Sequence, residues 1–218
     1  MLDWFFNIKK RSYDFDLAPQ PRVNVPDETF EHGFAALWTL LESNLMPPVG
    51  RLSGPWAQPA SKFPAAYLWD SAFISQAWKI RDPGIGFKIL KPFVEFQASN
   101  GRMPHLVFLG RSTSKLSNPP FLSWAIKHLH DYLPDNEMVT CFLLPLQKFM
   151  EFRVANRFND SHGLYFWPDS YESGIDNTPR FRSRDEKEEY GVKDLGAIDL
   201  NAEICIQHET FLDLLSRI

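Results

Sequence analysis

The sequence predicts an all-α fold for this chain of 218 residues. Apolar residues recur every three or four positions in six separate segments, which is the spacing of one face of a helix. Few segments alternate apolar and polar residues as strands do, and no internal repeat is obvious. Prolines, glycines and clusters of Asn and Asp separate the apolar segments. We therefore expect six helices joined by loops of unequal length.

The first two predicted helices follow a polar, proline-punctuated lead-in segment at residues 1–27. Asp27 can cap the first helix, because its carboxylate can accept a hydrogen bond from a backbone N–H of the first turn. Pro47-Pro48 ends that helix, and the second helix is predicted from near Asp70 to just before Asp82. The apolar positions that define the first helix are Phe30, Phe34, Leu37, Trp38 and Leu41.

Four further helices are predicted along the rest of the chain. The third covers about 85–98, and Pro119-Pro120 suits the first turn of the fourth. The fifth covers about 135–156 and should be kinked by Pro145. The sixth begins near Ala197 and is still apolar-periodic where the sequence stops, so the chain is interpreted as unfinished.

Every second connection between these helices is long. The three long connections cover residues 50–68, 99–118 and 157–196 and are rich in Trp, Asp, Asn and Gly. Binding and catalytic residues are commonly carried by loops that a rigid scaffold positions. We therefore expect the functional residues on these three loops, at one side of the helices.

Composition excludes some classes of function. The net charge is −4, with 44% hydrophobic and 23% charged residues, so no basic field attracts nucleic acid. Aromatic residues make up 15% of the chain. A large core accounts for most of them, and a sugar-binding cleft would account for the remainder.

The chain carries no evident targeting or membrane-spanning segment. No apolar run approaches the length of a transmembrane helix, and the N-terminus lacks the pattern of a signal peptide. Cys141 and Cys205 lie in apolar helical segments and are predicted to be buried, reduced thiols. These features predict a cytoplasmic protein without a membrane partner. The six histidines are scattered, and we expect no metal site and no cofactor.

The segment 171–181 is the strongest indication of function. It sets Glu172, Asp176 and Arg180 around Gly174, directly after the aromatic run 165–167. A carboxyl group beside aromatic walls can keep its proton near neutral pH, as a general acid must. Aromatic faces also suit the apolar face of a sugar ring. The segment therefore suggests carbohydrate chemistry, with walls expected from Phe166, Trp167 or Phe181.

Four other short clusters lie in long loops or at helix starts, and each has a structural explanation when taken alone. They are Tyr-Leu-Trp-Asp-Ser-Ala-Phe at 67–73, Asn-Gly-Arg-Met-Pro-His at 100–105, Asn-Pro-Pro-Phe at 118–121 and Ala-Ile-Asp-Leu-Asn-Ala-Glu at 197–203. Asp70, Asn118 and Asp199 could each cap a helix. Asn100-Gly101 is a turn signal, and His105 could be an ordinary loop histidine.

In this order, the five clusters resemble those of glycoside hydrolases with an (α/α)6 barrel. The resemblance is to the clan of trehalases, processing α-glucosidases and mannosylglycerate or glucosylglycerate hydrolases. The segment 175–180, Ile-Asp-Asn-Thr-Pro-Arg, is similar to the α-glucosidase and glycerate-glycoside branch. The resemblance implies an incomplete (α/α)6 toroid (six-hairpin glycosidase-like) of about six helices. Residues 28–218 would be the N-terminal half of the catalytic domain.

The resemblance also implies roles for individual residues. Asp176 matches the general acid that protonates the leaving glycosidic oxygen. Trp69 and Asp70 match residues that grip the glycosyl unit in the −1 subsite. Asn100 matches a contact to a sugar hydroxyl, and the backbone of Gly174 would lie beside the same sugar.

Two positions depart from the family pattern. Asn118 stands where the family usually has glutamine, so its shorter amide reaches less far towards the sugar. The general base of the family is a glutamate late in the barrel, and its equivalent would fall beyond Ile218.

The resulting hypothesis is part of an inverting glycoside hydrolase for an α-glucoside or α-mannoside, such as glucosylglycerate, mannosylglycerate, a trehalose-like sugar or a gluco-oligosaccharide. Without its base, the isolated chain is predicted to be inactive. The alternative is a noncatalytic carbohydrate-binding or interaction protein derived from the same fold. In either case, exposed half-barrel faces would favour self-association.

Overall fold

The computed structural model describes residues 13–108, 114–175, 178–181 and 196–218. In these residues the chain forms seven α-helices, two short 3₁₀ turns and six two-residue strands. The helices are α1 Glu28–Ser43, α2 Leu68–Arg81, α3 Pro83–Lys88, α4 Lys91–Glu95, α5 Leu122–Tyr132, α6 Asn136–Arg157 and α7 Ile198–Arg217. The predicted all-α class is confirmed.

The strands form three small antiparallel ladders inside the long connections. They pair β1 Leu45–Met46 with β2 Trp56–Ala57, β3 Ala66–Tyr67 with β4 Leu106–Val107, and β5 Phe158–Asn159 with β6 Leu164–Tyr165. The pair β3–β4 joins the first long connection to the second. These ladders therefore fix loops rather than build a sheet.

Local capping chemistry explains where several helices begin. The Asp27 side chain accepts a hydrogen bond from the backbone N–H of Thr29, as predicted. Asp135 does the same for Met138 at the start of α6. Each carboxylate satisfies a donor that the first turn of a helix leaves free.

Other predicted boundaries are wrong by a few residues. The third predicted helix is two helices, because Pro92 lacks the N–H needed inside a helix and instead occupies the first turn of α4. α5 begins at Leu122, after Pro119-Pro120 rather than with them. α2 begins at Leu68 with Tyr67 at its N-cap, so Asp70 lies within the first turn and does not cap the helix.

α5 is the central helix of the packing and contacts both α2 and α7. α3 packs against α2 and α5, whereas α6 packs against α5 and α7. The main core between these helices contains large side chains, among them Trp56, Phe87, Phe93, Phe142 and Phe149.

Residues 13–27 of the lead-in segment and α1 both contact α2. Trp38 is the buried residue of α1, and its ring meets Trp78 edge-on with 6.1 Å between the ring centroids. In the lead-in, Ala18 accepts a hydrogen bond from Arg81 Nε. The spacing of apolar residues predicts α1 correctly, but Phe30 and Leu37 of that stripe stay exposed and only Trp38 is fully buried.

Both cysteines are exposed on helix surfaces, so the expected burial of Cys141 and Cys205 is wrong. Their neighbours in sequence are apolar, but the helical rotation turns these two positions outward. Across the described ranges, none of the helices combines the length and apolar character needed to cross a bilayer.

Gly101 provides a test of the fold. Its φ is +89°, and a Cβ atom there would lie 2.2 Å from the carbonyl oxygen of Lys148 on α6. We expect Gly101→Ala to lower the free energy of unfolding by about 1–3 kcal/mol, measured by urea denaturation, because backbone strain and a backbone clash both result. Gly33→Ala is the matched control. Gly33 lies in α1 with open space around it, so that change should stabilise by about 0.5–1 kcal/mol. Equal effects of the two changes would contradict this account.

Candidate functional site

A cavity of about 680 Å³ opens beside the first turn of α2 and the segment that precedes α5. All three long connections contribute to its wall, as predicted. The lining residues are Pro59, Tyr67, Trp69, Asp70, Phe73, Ile74, His105, Asn118, Tyr171 and Gly174.

The structure brings four of the predicted site residues together in this cavity: Trp69, Asp70, Asn118 and Gly174. Asn100 is not among the lining residues. It is exposed, and its side chain accepts a hydrogen bond from the backbone N–H of Arg102, which is the behaviour of a turn residue. The predicted general acid, Asp176, lies outside the described residues.

The backbone of Gly174 lies directly against the indole of Trp69. A 3₁₀ turn, Tyr171–Ser173, ends at Gly174 with a φ of +70°. A Cβ atom there would lie 2.0 Å from both Cε3 and Cζ3 of Trp69. Only glycine combines this positive φ with the missing side chain that the contact requires. Phe121 stacks on Trp69 at 6.5 Å between the centroids, so the indole is held between two elements.

Asn118 joins the second long connection to the third. Its Nδ2 donates a hydrogen bond to the carbonyl oxygen of Tyr171 at 3.5 Å, and its own carbonyl oxygen accepts from Arg153 Nη2. The residue that caps α5 is Phe121, so Asn118 does not serve as the helix cap that its sequence context allowed. Its amide instead helps to shape the cavity wall.

The first and second connections are also tied to each other at the cavity. The backbone N–H of Leu68 donates to the carbonyl oxygen of His105 at 2.9 Å. The rings of Tyr67 and His105 meet edge-on at 5.6 Å. With the contacts at Asn118 and Gly174, these interactions link the three connections and the first turn of α2 in a ring around the cavity.

Asp70 supplies the cavity with a carboxylate in a partly apolar setting. Removal from water raises its pKa, although a hydrogen bond that its own backbone N–H donates to the carboxylate offsets part of that shift. The pKa of the Tyr67 hydroxyl is raised by partial burial and then by the negative charge of Asp70. A carboxylate beside a phenol and an indole is suited to hold the hydroxyl groups and the apolar face of one sugar ring.

The aromatic walls expected from the run 165–167 are elsewhere. Trp167 and Phe181 pack with Leu200 and Ile204 in a separate core cluster at the start of α7. The aromatic wall of the cavity comes instead from α2, from Tyr67 before it and from Tyr171 of the third connection. The aromatic run 165–167 is close to Gly174 in the sequence. It packs against α7 instead and does not line the cavity.

Two carboxylates at the start of α7 have opposite electrostatic settings. Asp199 is partly desolvated, yet hydrogen bonds from Arg180 and from the backbone of Leu200 lower its pKa overall. Desolvation, and then the negative charge of Asp199, raise the pKa of Glu203 to about 7. The N-cap of α7 is Ala197, so the expected capping by Asp199 does not occur.

Sequence reasoning missed two residues behind the cavity, Arg153 and Arg157 on α6. Arg157 forms an ion pair with the buried Glu172, and Arg153 contacts Asn118. The available signal was two arginines four residues apart on an apolar helix face, which places both on the same side. In the described part of the chain, no group of three His, Cys, Asp or Glu side chains could hold a metal ion.

Comparison with known proteins places these features in a wider group. The model of the mannosylglycerate hydrolase MGH1-like glycoside hydrolase domain matches residues 63–205. Mannosylglycerate hydrolase of Thermus thermophilus is 26% identical over 141 residues, covering 54% of this chain and 34% of that protein.

Solved structures share the fold. The GH63 mannosylglycerate hydrolase of Thermus thermophilus, in complex with Tris and D-glycerate, matches with a TM-score of 0.58 and 20% identity over 84% of this chain and 52% of that one. An uncharacterized conserved protein of the same organism matches with a TM-score of 0.57 and 23% identity, over 84% and 49%. This likeness confirms the incomplete (α/α)6 toroid. The chain spans about half the length of these solved relatives.

Glu203 predicts a pH dependence of stability. Its pKa is raised from 4.5 to about 7 in the folded chain, so folding favours the protonated form. The resulting stabilisation is complete below about pH 4.5 and is lost as the pH rises through 7. Above pH 7, we expect Glu203→Gln to raise the free energy of unfolding by on the order of 2 kcal/mol relative to the native chain.

The measurement is urea denaturation at pH 5 and pH 8. The gain from Glu203→Gln should be clearly larger at pH 8. Glu209→Gln, at an exposed position of the same helix, is the control and should give no such difference. A pH-independent effect of Glu203→Gln would contradict the assigned cause.

Proposed function

Because this chain belongs to the family of mannosylglycerate hydrolase MGH1-like glycoside hydrolase domains, we propose that it forms part of an inverting glycoside hydrolase. The substrate class is a small α-glucoside or α-mannoside. The chain has about half the length of its solved relatives, so this activity is proposed for the complete toroid and not for these 218 residues alone.

The observation that carries the proposal is the packing of Gly174 against Trp69, with Asp70 on the same cavity wall. Two separate parts of the sequence, residues 69–70 and residue 174, meet where one sugar ring would need an aromatic face and a carboxylate. The volume of about 680 Å³ lies within the range of ligand pockets, roughly 300–1,000 Å³. Asn118 would add an amide at the same wall.

The proposed chemistry needs an acid and a base on opposite sides of the glycosidic bond. In inverting enzymes the two carboxyl groups are about 6.5–9.5 Å apart, which leaves room for the attacking water. We assign the acid to Asp176, two residues after Gly174 in the sequence. We assign the base to a glutamate beyond Ile218, as the family pattern implies, and Asn100 remains a proposed sugar contact.

Mannosylglycerate and glucosylglycerate are the first substrates to test. A mannosylglycerate hydrolase is among the relatives, and one solved relative holds D-glycerate. Trehalose-like sugars and gluco-oligosaccharides form the second group, because the sequence motifs also resemble trehalases and α-glucosidases. A cytoplasmic location also remains a proposal.

A noncatalytic sugar-binding protein is the second candidate function. It rests on the same cavity, because an indole and a carboxylate on one wall suit sugar binding without any catalytic step. It predicts sugar affinity without turnover in any form of the protein.

One experiment tests sugar binding and hydrolysis together. Residues 1–218 are titrated with each sugar by calorimetry and assayed for release of the free sugar. We expect binding but no turnover, since loss of a general acid or base costs on the order of 10²–10⁴ in rate. Asp70→Asn should weaken binding about tenfold or more, because a hydrogen bond to a charged group contributes about 1.5–3 kcal/mol.

Asp160→Asn, at the exposed turn between β5 and β6, is the matched control and should leave the affinity unchanged. Turnover by residues 1–218 would show that the base lies within them. Hydrolysis by a longer chain that includes the continuing helices, abolished by Asp176→Asn, would establish the enzyme. Binding without hydrolysis in that longer chain would favour the second candidate.

We also infer that the isolated chain associates with a second copy of itself. An apolar groove of about 520 Å³ lies between α6 and α7. Val154 and Leu212 line it and are more than half exposed, and Leu215 extends the apolar surface along α7. A contiguous apolar surface of this kind favours association.

Sedimentation velocity over a range of protein concentrations measures this association. We expect the apparent mass to rise with concentration and Leu212→Lys to suppress the rise, because a charge in the groove must be desolvated on contact. Thr140→Lys, at an exposed polar site of α6, adds the same charge and should have little effect. A concentration-independent monomer would refute the inference.

A further inference from the structure

Two arginines on α6 lie behind the cavity, one helical turn apart. Arg153 is only 1% exposed, and the Arg157 side chain is largely buried beside it. Burial lowers the pKa of Arg153 to about 10, so the guanidinium remains charged at neutral pH. A buried charge is costly unless it is paired. The hydrogen bonds that these two guanidinium groups donate lead directly to the cavity wall.

Arg157 holds the turn that carries Gly174. Its Nε donates to Glu172 Oε1 and its Nη2 to Glu172 Oε2, each at 2.9 Å. This two-point contact fixes the orientation of the carboxylate as well as its distance. Glu172 is fully buried at the centre of the 3₁₀ turn Tyr171–Ser173, two residues before Gly174.

Arg153 holds the neighbouring part of the wall. Its Nη2 donates to the backbone carbonyl of Asn118, whose side chain reaches Tyr171. The guanidinium lies over the rings of Phe149 and Trp167, at 4.8 and 5.5 Å from their centroids. These contacts limit the positions that the guanidinium can take.

We propose that Arg157 and Arg153 are positioning residues of the cavity, which act from α6 through Glu172 and Asn118. Arg157 fixes the height of the Gly174 backbone over the Trp69 indole. Arg153 fixes the amide of Asn118 beside it. Neither arginine is among the residues that line the cavity, so neither contacts a ligand there.

The position of the Gly174 turn against Trp69 can be measured on the sugar-free protein. The effect of the two arginines on sugar affinity rests on the proposed function. An experiment on the sugar-free protein can therefore fail or succeed independently of the sugar titration.

The test is the ¹H–¹⁵N NMR signal of the Trp69 indole N–H, assigned by its loss in Trp69→Phe. Glu172→Gln keeps the shape of the side chain but removes its charge, and we expect the Trp69 signal to move. Where mannosylglycerate binds the native chain, the same change should weaken binding about tenfold or more, since small misplacements in a site have large effects. Glu42→Gln breaks the Arg81–Glu42 ion pair between α1 and α2. It is the matched control and should leave both readouts unchanged.

A paired substitution separates positioning from plain stability. Arg157→Met with Glu172→Met replaces a buried ion pair by apolar side chains, which often retains the melting temperature. We expect this double variant to fold, with the Trp69 signal still displaced from its native position. Arg157→Lys keeps the charge without the two-point contact and should displace the same signal.

An unmoved Trp69 signal in Glu172→Gln, or its full return in the folded double variant, would overturn the proposal. If Glu172→Gln does not fold, the Trp69 signal is read in the double variant and in Arg157→Lys. A displaced signal supports the proposal, and an unmoved signal overturns it. If neither the native chain nor the longer chain binds sugar, the proposed function fails, whereas the Trp69 signal still decides the positioning role.

Discussion

The close approach of the Gly174 backbone to the Trp69 indole is the constraint on which the cavity depends. Two parts of the sequence about a hundred residues apart must meet there with no side chain between them. The positive φ of Gly174 ends the 3₁₀ turn at the point where the backbone reaches the ring. Because a turn of three residues cannot hold such a position unaided, it is tied to α6 through the buried Glu172. An ion pair in the interior thus sets the shape of an aromatic surface that faces solvent.

Features of the fold that depend on neighbouring residues could be predicted from sequence. Asp27 and Asp135 begin their helices because a carboxylate beside a free N–H is a local interaction. Boundaries that depend on tertiary contacts were missed. α2 begins two residues earlier than predicted, because Tyr67, its N-cap, is held in the β3–β4 strand pair. The exposure of Cys141 and Cys205 was missed because an apolar neighbourhood in sequence does not determine which face of a helix meets the core.

The candidate site could be predicted only in part. Trp69, Asp70, Asn118 and Gly174 were identified by an ordered series of motifs, and they line one cavity. Sequence context alone allowed Asp70 and Asn118 to be helix caps, but neither residue caps a helix. The two arginines of α6 were not identified, because their spacing on an apolar helix face indicates that they share a side but not what they contact. Their role appears only when the distances to Glu172 and Asn118 are known.

The ring of links among the three long connections has an evolutionary consequence. In many scaffolds, loops diverge one at a time and each change in specificity adds to the last. Here the first loop touches the second at His105, the second touches the third at Tyr171, and the third returns to Trp69, in the first turn of α2 directly after the first loop. Substitutions in contacting residues are not additive, so a change in one loop alters which changes the next can accept. Adaptation of this cavity to a new sugar would therefore be epistatic and would proceed by paired substitutions across loops, while the helices beneath stay the same.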